Sequence, residues 1–141
     1  MYEVIYGEDK ALVAWAESVI GCKFRTDATA IGLKHHEAIV AVTVFDGFSL
    51  CDCNMHIASD GSGHWLTRKF LISSFAYPFI QLKLRRVTGL VPAKNEAALK
   101  FDLHLGFEFE GRCKNALPDD DIIILGLLRE NCKYIHPDHR R

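Results

Sequence analysis

Residues 95–112 read NEAALKFDLHLGFEFEGR, and the organisation of the second half of the chain follows from this stretch. Asn95 suits a helix N-cap, because its side-chain oxygen can accept from a backbone N–H that the first turn leaves free. Gly106 is a natural C-terminal stop. The stretch therefore predicts a helix from about Asn95 to Leu105 that runs at once into a strand at 107–113, with a further strand at 122–129. Immediately before it, RRVTGLV (85–91) reads as a short strand closed by Pro92.

Upstream, Leu71, Phe75, Phe79 and Leu82 recur at helical spacing, and Leu66 and Phe70 widen their stripe. They predict one long helix over 65–84, kinked or split at Pro78, whose ring removes a backbone donor. The break Ser59-Asp60-Gly61-Ser62-Gly63 precedes it. Ahead of the break, Val- and Ile-rich runs predict strands near Ala28–Leu33, at 38–46 and from about Leu50 to Ser59. His35-His36-Glu37 marks one turn, and Asp46-Gly47 is a strong hairpin signal, so the three strands should be antiparallel neighbours. DKALVAWAESVI (9–20) reads as an amphipathic first helix stopped by Gly21. An antiparallel opening followed by strand, helix, strand, helix, strand, strand implies an α+β domain, a mixed and mostly antiparallel sheet with helices on its faces. The segment 131–141 has little to bury and is expected to be weakly ordered.

With 141 residues, 49% of them apolar and 25% charged, the chain is one packed domain rather than two. Seventeen basic against eighteen acidic residues give a net charge of −1. That balance supplies no overall pull toward nucleic acid or an anionic membrane. No apolar run approaches the roughly 20 residues that span a bilayer, and the N-terminus lacks the layout of a secretory signal. Five cysteines, an odd number, fit reduced thiols in a cytoplasmic protein.

Two further stretches carry chemistry. In SDGSGHWLTRK (59–69) a glycine-rich turn enters a helix start, where free N–H groups and the helix dipole suit an anion such as phosphate. Arg68 and Lys69 lie one turn in. Standing alone, this pattern reads first as a loop plus an N-cap, since it has neither a Walker lysine nor a dinucleotide fingerprint. In CDCNMHIAS (51–59), alternation puts Asp52, Asn54 and His56 on one strand face and Cys51, Cys53 and Met55 on the other. The polar row is either a solvated outer face or a site in which His56 acts as a base near neutral pH. Cys51, Cys53 and His56 fall on opposite faces and lack a second pair of ligands, which argues against a zinc site.

As a string, residues 95–112 resemble the Asn-x-x-Ala…Leu-Gly-Phe…Glu-Gly pattern of the GNAT superfamily of N-acetyltransferases, especially its compact branch related to ribosomal-protein N-acetyltransferases. YGEDKALVAWAESVIG, TAIGL, IASDGSGHWLTRKFL, AYPFIQLKLRRVTGLV and DDDIIILGLLRENCKYI together resemble small GNAT proteins of phages and prophages, in order and over nearly the whole chain. The resemblance implies a single GNAT domain over 1–141 whose fourth and fifth strands splay apart to admit acetyl-CoA. It implies that the pantetheine arm pairs with backbone around Ile57, Ala58 and Ser59. The pyrophosphate would rest on amides from Ser62 through Gly63, His64 and Trp65 to Leu66, with Arg68 nearby. Asn95 would contact the pantetheine arm, and Lys100 the CoA phosphates.

Several positions depart from the family pattern. Its pyrophosphate signature survives only as Ala58-x-x-Gly61-x-Gly63. Asp102 stands where many members carry the tyrosine that protonates the departing thiolate, and Asn54 where relatives often have an acidic residue. The implied activity is acetyl transfer from acetyl-CoA to a primary amine of a protein, peptide or small molecule by direct attack, without a metal. A backbone N–H would stabilise the oxyanion, and His56 would serve as base through water held by Asn54 and Asp52. The implied partners are acetyl-CoA and the amine, with a homodimer allowed and the bacterial cytoplasm, in phage-encoded form, as the setting. Two other readings stand beside this one: an acyl-CoA- or partner-binding protein without turnover, and a phage nucleic-acid base modifier.

Overall fold

Val40 to Asp46 are buried without interruption, so the third strand, β3 (Ala38–Asp46), has both faces covered. The computed structural model describes residues 1–63 and 67–141. Around β3 are β1 (Tyr2–Ile5), β2 (Thr29–His35), β4 (Asn54–Ser59), β5 (Arg86–Pro92), β6 (Glu108–Leu117) and β7 (Asp120–Leu128). They form one sheet in the order β1-β2-β3-β4-β5-β7-β6. Neighbours are antiparallel except β4 and β5, which run parallel. A parallel pair needs a crossover, and α2 (Arg68–Ala76) supplies it; α3 (Glu96–Leu105) carries the chain from β5 to β6.

Helix α1 (Asp9–Ile20) covers one face, setting Leu12 and Ala16 on Val42, Val44 and Ala58. Gly32 of β2 permits this approach, since a Cβ there would lie 2.6 Å from Leu12 Cδ2. Helix α2 covers the other face: Phe70, Leu71 and Phe75 join Phe45, Met55, Val87, Phe107 and Leu125 in the larger core. A buried hydrogen bond of 2.8 Å between Thr43 and Ser74 hydroxyls ties β3 to α2.

The expected first helix and the strand at 38–46 match in full, and the three antiparallel neighbours pair as expected. Four elements differ. Strand β1, without an expected counterpart, adds an edge to β2. The long helix expected over 65–84 is α2 followed by a π-helical turn, Tyr77–Gln81, in which the Leu82 N–H donates to the Tyr77 carbonyl. Pro78, lacking an N–H, accounts for the change of pattern. Asp46-Gly47 does not form a two-residue hairpin, and β4 starts at Asn54 instead of Leu50. The Asp27 carboxylate accepts from the N–H groups of Gly47 and Phe48, holding a longer loop open. Finally, the segment after Asn131 buries Cys132, Tyr134 and Ile135, with Tyr134 stacked on Phe75 at 5.3 Å.

Candidate active site

Strands β4 and β5 are joined at one end only. The N–H groups of Arg86 and Thr88 donate to the carbonyls of Cys51 and Cys53, and Asn54–Thr88 is the register pair between the strands. Beyond it they diverge. On its other side β4 pairs with β3 from Asn54 to Ser59, and the Asp60 N–H continues that ladder to the Val40 carbonyl. Backbone groups alternate sides along a strand, so His56 and Ala58 turn their backbone toward β3. Ile57 and Ser59 turn theirs toward the gap, where β5 no longer provides partners.

A cavity of about 180 Å³ fills the divergence. Met55, His56 and Ile57 wall it from β4, Leu90 to Pro92 from β5, and Ala98, Phe101 and Asp102 from α3. Asn95 stands at its edge with its side-chain oxygen committed to capping α3 through the Ala98 N–H at 3.2 Å. Asp102 lies half-buried against β5; burial pushes its carboxyl up to about 6, and nearby His56 pulls it the other way.

The imidazole of His56 is largely enclosed. Its Nε2 is 3.4 Å from Oδ1 of Asp46, and its ring centre lies 5.1 Å from that of Phe24. Asp46, only 4% exposed, ends β3 opposite Asn54. Its Oδ2 accepts the Arg25 N–H at 3.0 Å, whereas Oδ1 has no hydrogen-bond partner among the described residues. The 3.4 Å approach is thus a close contact that falls short of an aligned hydrogen bond. Burial pushes the Asp46 carboxyl up, but His56, the Arg25 N–H and Asn54 together outweigh it and hold the group below its ordinary range.

The polar row expected along β4 is divided. Asp52 precedes the strand and turns to β5, accepting from the Thr88 hydroxyl at 2.8 Å, with Arg86 Nε at 3.6 Å. Asn54 supports Asp46 and borders a shallow depression with Arg25, Asp27 and Phe48, outside the main cavity. Only His56 of the three reaches the cavity. Cys53 is buried, and burial, reinforced by Asp52, Asp46 and Asp27, pushes its thiol up to about 12, so it is no nucleophile at neutral pH.

At the junction after β4, helix α2 starts at Arg68, with the Thr67 hydroxyl accepting from the Phe70 N–H. His64, Trp65 and Leu66 lie outside the described residues. The Ser62 N–H already donates to Asp60 Oδ1 at 2.9 Å. Gly61 and Gly63 adopt φ of +83° and +77° with open space where a Cβ would stand. The Arg68 guanidinium sits 5.9 Å over the Tyr134 ring, and Lys100 is exposed on α3. Of the expected residues, the fold therefore gathers His56, Ile57, Asn95 and Asp102 around one cavity and leaves Asn54, Arg68 and Lys100 off its wall.

Asp46 escaped the sequence reading, where it served only as half of a turn signal. Its sign was present nonetheless: a carboxylate closing an otherwise apolar strand, facing the row that contains His56.

This architecture is the GNAT acetyltransferase fold. Among solved structures, a mutant of the spermidine N-acetyltransferase SpeG from Vibrio cholerae superposes with a TM-score of 0.77 at 12% identity, covering 97% of this chain and 98% of that one. The same enzyme in complex with CoA and spermine gives 0.74 at 12% identity, with 96% and 98% covered. A dodecameric form gives 0.72 at 12%, with 90% and 93% covered. No protein-family model and no curated protein matches the chain significantly. Identities this low establish the fold alone.

Proposed function

We propose that this protein transfers an acetyl group from acetyl-CoA to a primary amine by direct attack within the β4–β5 cleft. The observation that carries the reading is the cleft itself: Ile57 and Ser59 turn their backbone to the gap with no partner from β5, and Ile57, His56 and Asp102 line its cavity. Ile57 and Ser59 hold the pantetheine arm as a partner strand would, and Ala58 packs behind them under α1. The Asn95 amide group donates to the arm from the head of α3. The Ile57 N–H polarises the thioester carbonyl and receives the developing oxyanion. His56 takes the proton of the attacking amine, the C–S bond breaks, and protonated Asp102 gives its proton to the thiolate. Asp102, with its carboxyl near 6, fills the role of a tyrosine acid less completely at pH 8 than at pH 6.5. The pyrophosphate rests on amides from Ser62 to Leu66, displacing Asp60 from the Ser62 N–H.

A fold neighbour described with CoA and spermine supports a cationic amine as acceptor. We place the acceptor amine in the same cavity, beside His56. Kinship with the compact branch related to ribosomal-protein N-acetyltransferases and with small phage and prophage proteins, a cytoplasmic setting and a homodimer belong to the same proposal; the first rests on the sequence motifs. Among the described residues no helix is long and apolar enough to cross a membrane.

The test joins binding to turnover. CoA at a hundredfold excess over its Kd should add about 2.7 kcal/mol of stability and raise the Tm, and acetyl-CoA with spermidine, spermine or a peptide amine should release free thiol. No Tm shift at millimolar CoA would remove the proposal. A shift without thiol release for any amine would make the protein an acyl-CoA binder.

A further inference from the structure

Asp46 is fixed on three sides. The backbone of β3 anchors it, the Arg25 N–H binds Oδ2, and Asn54, its register partner, steadies it from β4. One oxygen remains uncommitted, and it faces His56 Nε2 at 3.4 Å. A buried carboxylate oxygen without a donor is costly, and the imidazole N–H is the nearest group that relieves it. Phe24 lies against the ring and restricts its rotation. The other charged groups nearby are Asp102, which acts on the imidazole from α3, and Glu17 of α1 with Cys22 after it, which lie on the Asp46 side.

We propose that Asp46 is a positioning residue that holds His56 as its Nε2–H tautomer, so that Nδ1 is the atom that accepts the proton of the acceptor amine. The proposal rests on the acetyltransfer reading for its consequence, though not for its geometry. The neutral ring keeps its proton on Nε2 because the carboxylate is there, which leaves the lone pair on Nδ1. When Nδ1 takes the amine proton the ring becomes an imidazolium, and the charge of Asp46 stabilises it without itself being protonated. The imidazolium then loses the same proton to water, restoring the starting tautomer. The acetyl group and the thiolate never touch Asp46.

Imidazole ¹⁵N spectra of histidine-labelled protein test the geometry without any substrate, with His56 identified among the seven histidines by its disappearance in His56→Gln. The wild-type signal should be that of the Nε2–H form, and Asp46→Asn should shift it to a mixture or to Nδ1–H. In thiol-release kinetics Asp46→Asn should lower kcat about 100-fold, within the span of a general base, while KM for acetyl-CoA changes by less than about twofold. In a His56→Gln background the same change should add no further loss, because both substitutions remove one unit. A wild-type Nδ1–H tautomer would overturn the proposal, as would an Asp46→Asn enzyme with unaltered tautomer and kcat, or losses that add. If Asp46→Asn does not fold, the wild-type tautomer decides alone. A wild-type protein that releases no thiol sinks the acetyltransfer reading instead, and the spectra still judge Asp46.

Discussion

At Asp102 the proposed chemistry and the stability of the fold pull in opposite directions. Its carboxyl is raised from 3.8 to about 6 because the cleft wall withholds water from the charged form. A carboxyl whose folded pKa lies above its unfolded value helps the folded state fully below about pH 4, and that help disappears as pH rises through about 6. Above that range the ionised group is a standing cost of about 1–3 kcal/mol. Asp102→Asn should therefore be more stable than the wild type by that amount at pH 7.5 in urea unfolding, and no more stable at pH 4. Equal stability at pH 7.5 would mean that the carboxylate is well solvated. Asparagine cannot protonate a thiolate, so kcat should also fall. On the proposed mechanism the wild-type kcat should decline as pH rises with acetyl-CoA in place, and this decline should be missing from the variant. Sequence identified Asp102 by position in a motif. That the group can hold a proton near neutrality depends on β5 and α3 closing over it.

At the scale of elements, helix α1 and strand β3 were legible to the residue, the helix by its apolar stripe and the strand by its unbroken Val-rich run, each with clear stops. The start of β4 was not. Asp46-Gly47 carries the local signature of a tight turn, but Asp27, twenty residues earlier, takes the N–H groups of Gly47 and Phe48, the second of which such a turn would pair with the Phe45 carbonyl. The site inherits that difference, since Asp52 leaves the strand for Thr88 and only His56 of the polar row lines the cavity. Contact between elements is equally specific. Gly32→Ala would set a methyl 2.6 Å from Cδ2 of Leu12, which is 1% exposed and packed on Val42, Val44 and Ala58. It should cost about 1–3 kcal/mol, measured by denaturant unfolding, and a loss under about 0.5 kcal/mol would show that α1 slides easily on the sheet.

For the whole molecule, the C-terminal segment closes the core where the sequence promised a loose end. Truncation after Asn131 removes Cys132, Tyr134 and Ile135, all buried, and takes away the ring stacked on Phe75. Burial of such side chains contributes about 1.5–3 kcal/mol each, so the Tm should fall by roughly 10–20 °C in a thermal melt. A fall of less than about 2 °C would return the segment to the status of a dispensable tail. Single residues packed one at a time leave no period to read, which is why the sequence was silent here. The family resemblance put forward His56, Asn95 and Asp102 as site residues; what the sequence by itself determined is the succession of most helices and strands and the mixed sheet. Those features are local: they follow from apolar spacing, caps and stops within a few residues. The resemblance implied that β4 and β5 splay; the tertiary structure alone decided that they part after Asn54, that Ile57 and Ser59 meet no backbone partner there among the described residues, and that Asp46 meets His56 across a strand pair. Each of these depends on register and packing between segments distant in the chain, and no local pattern encodes the distance between them.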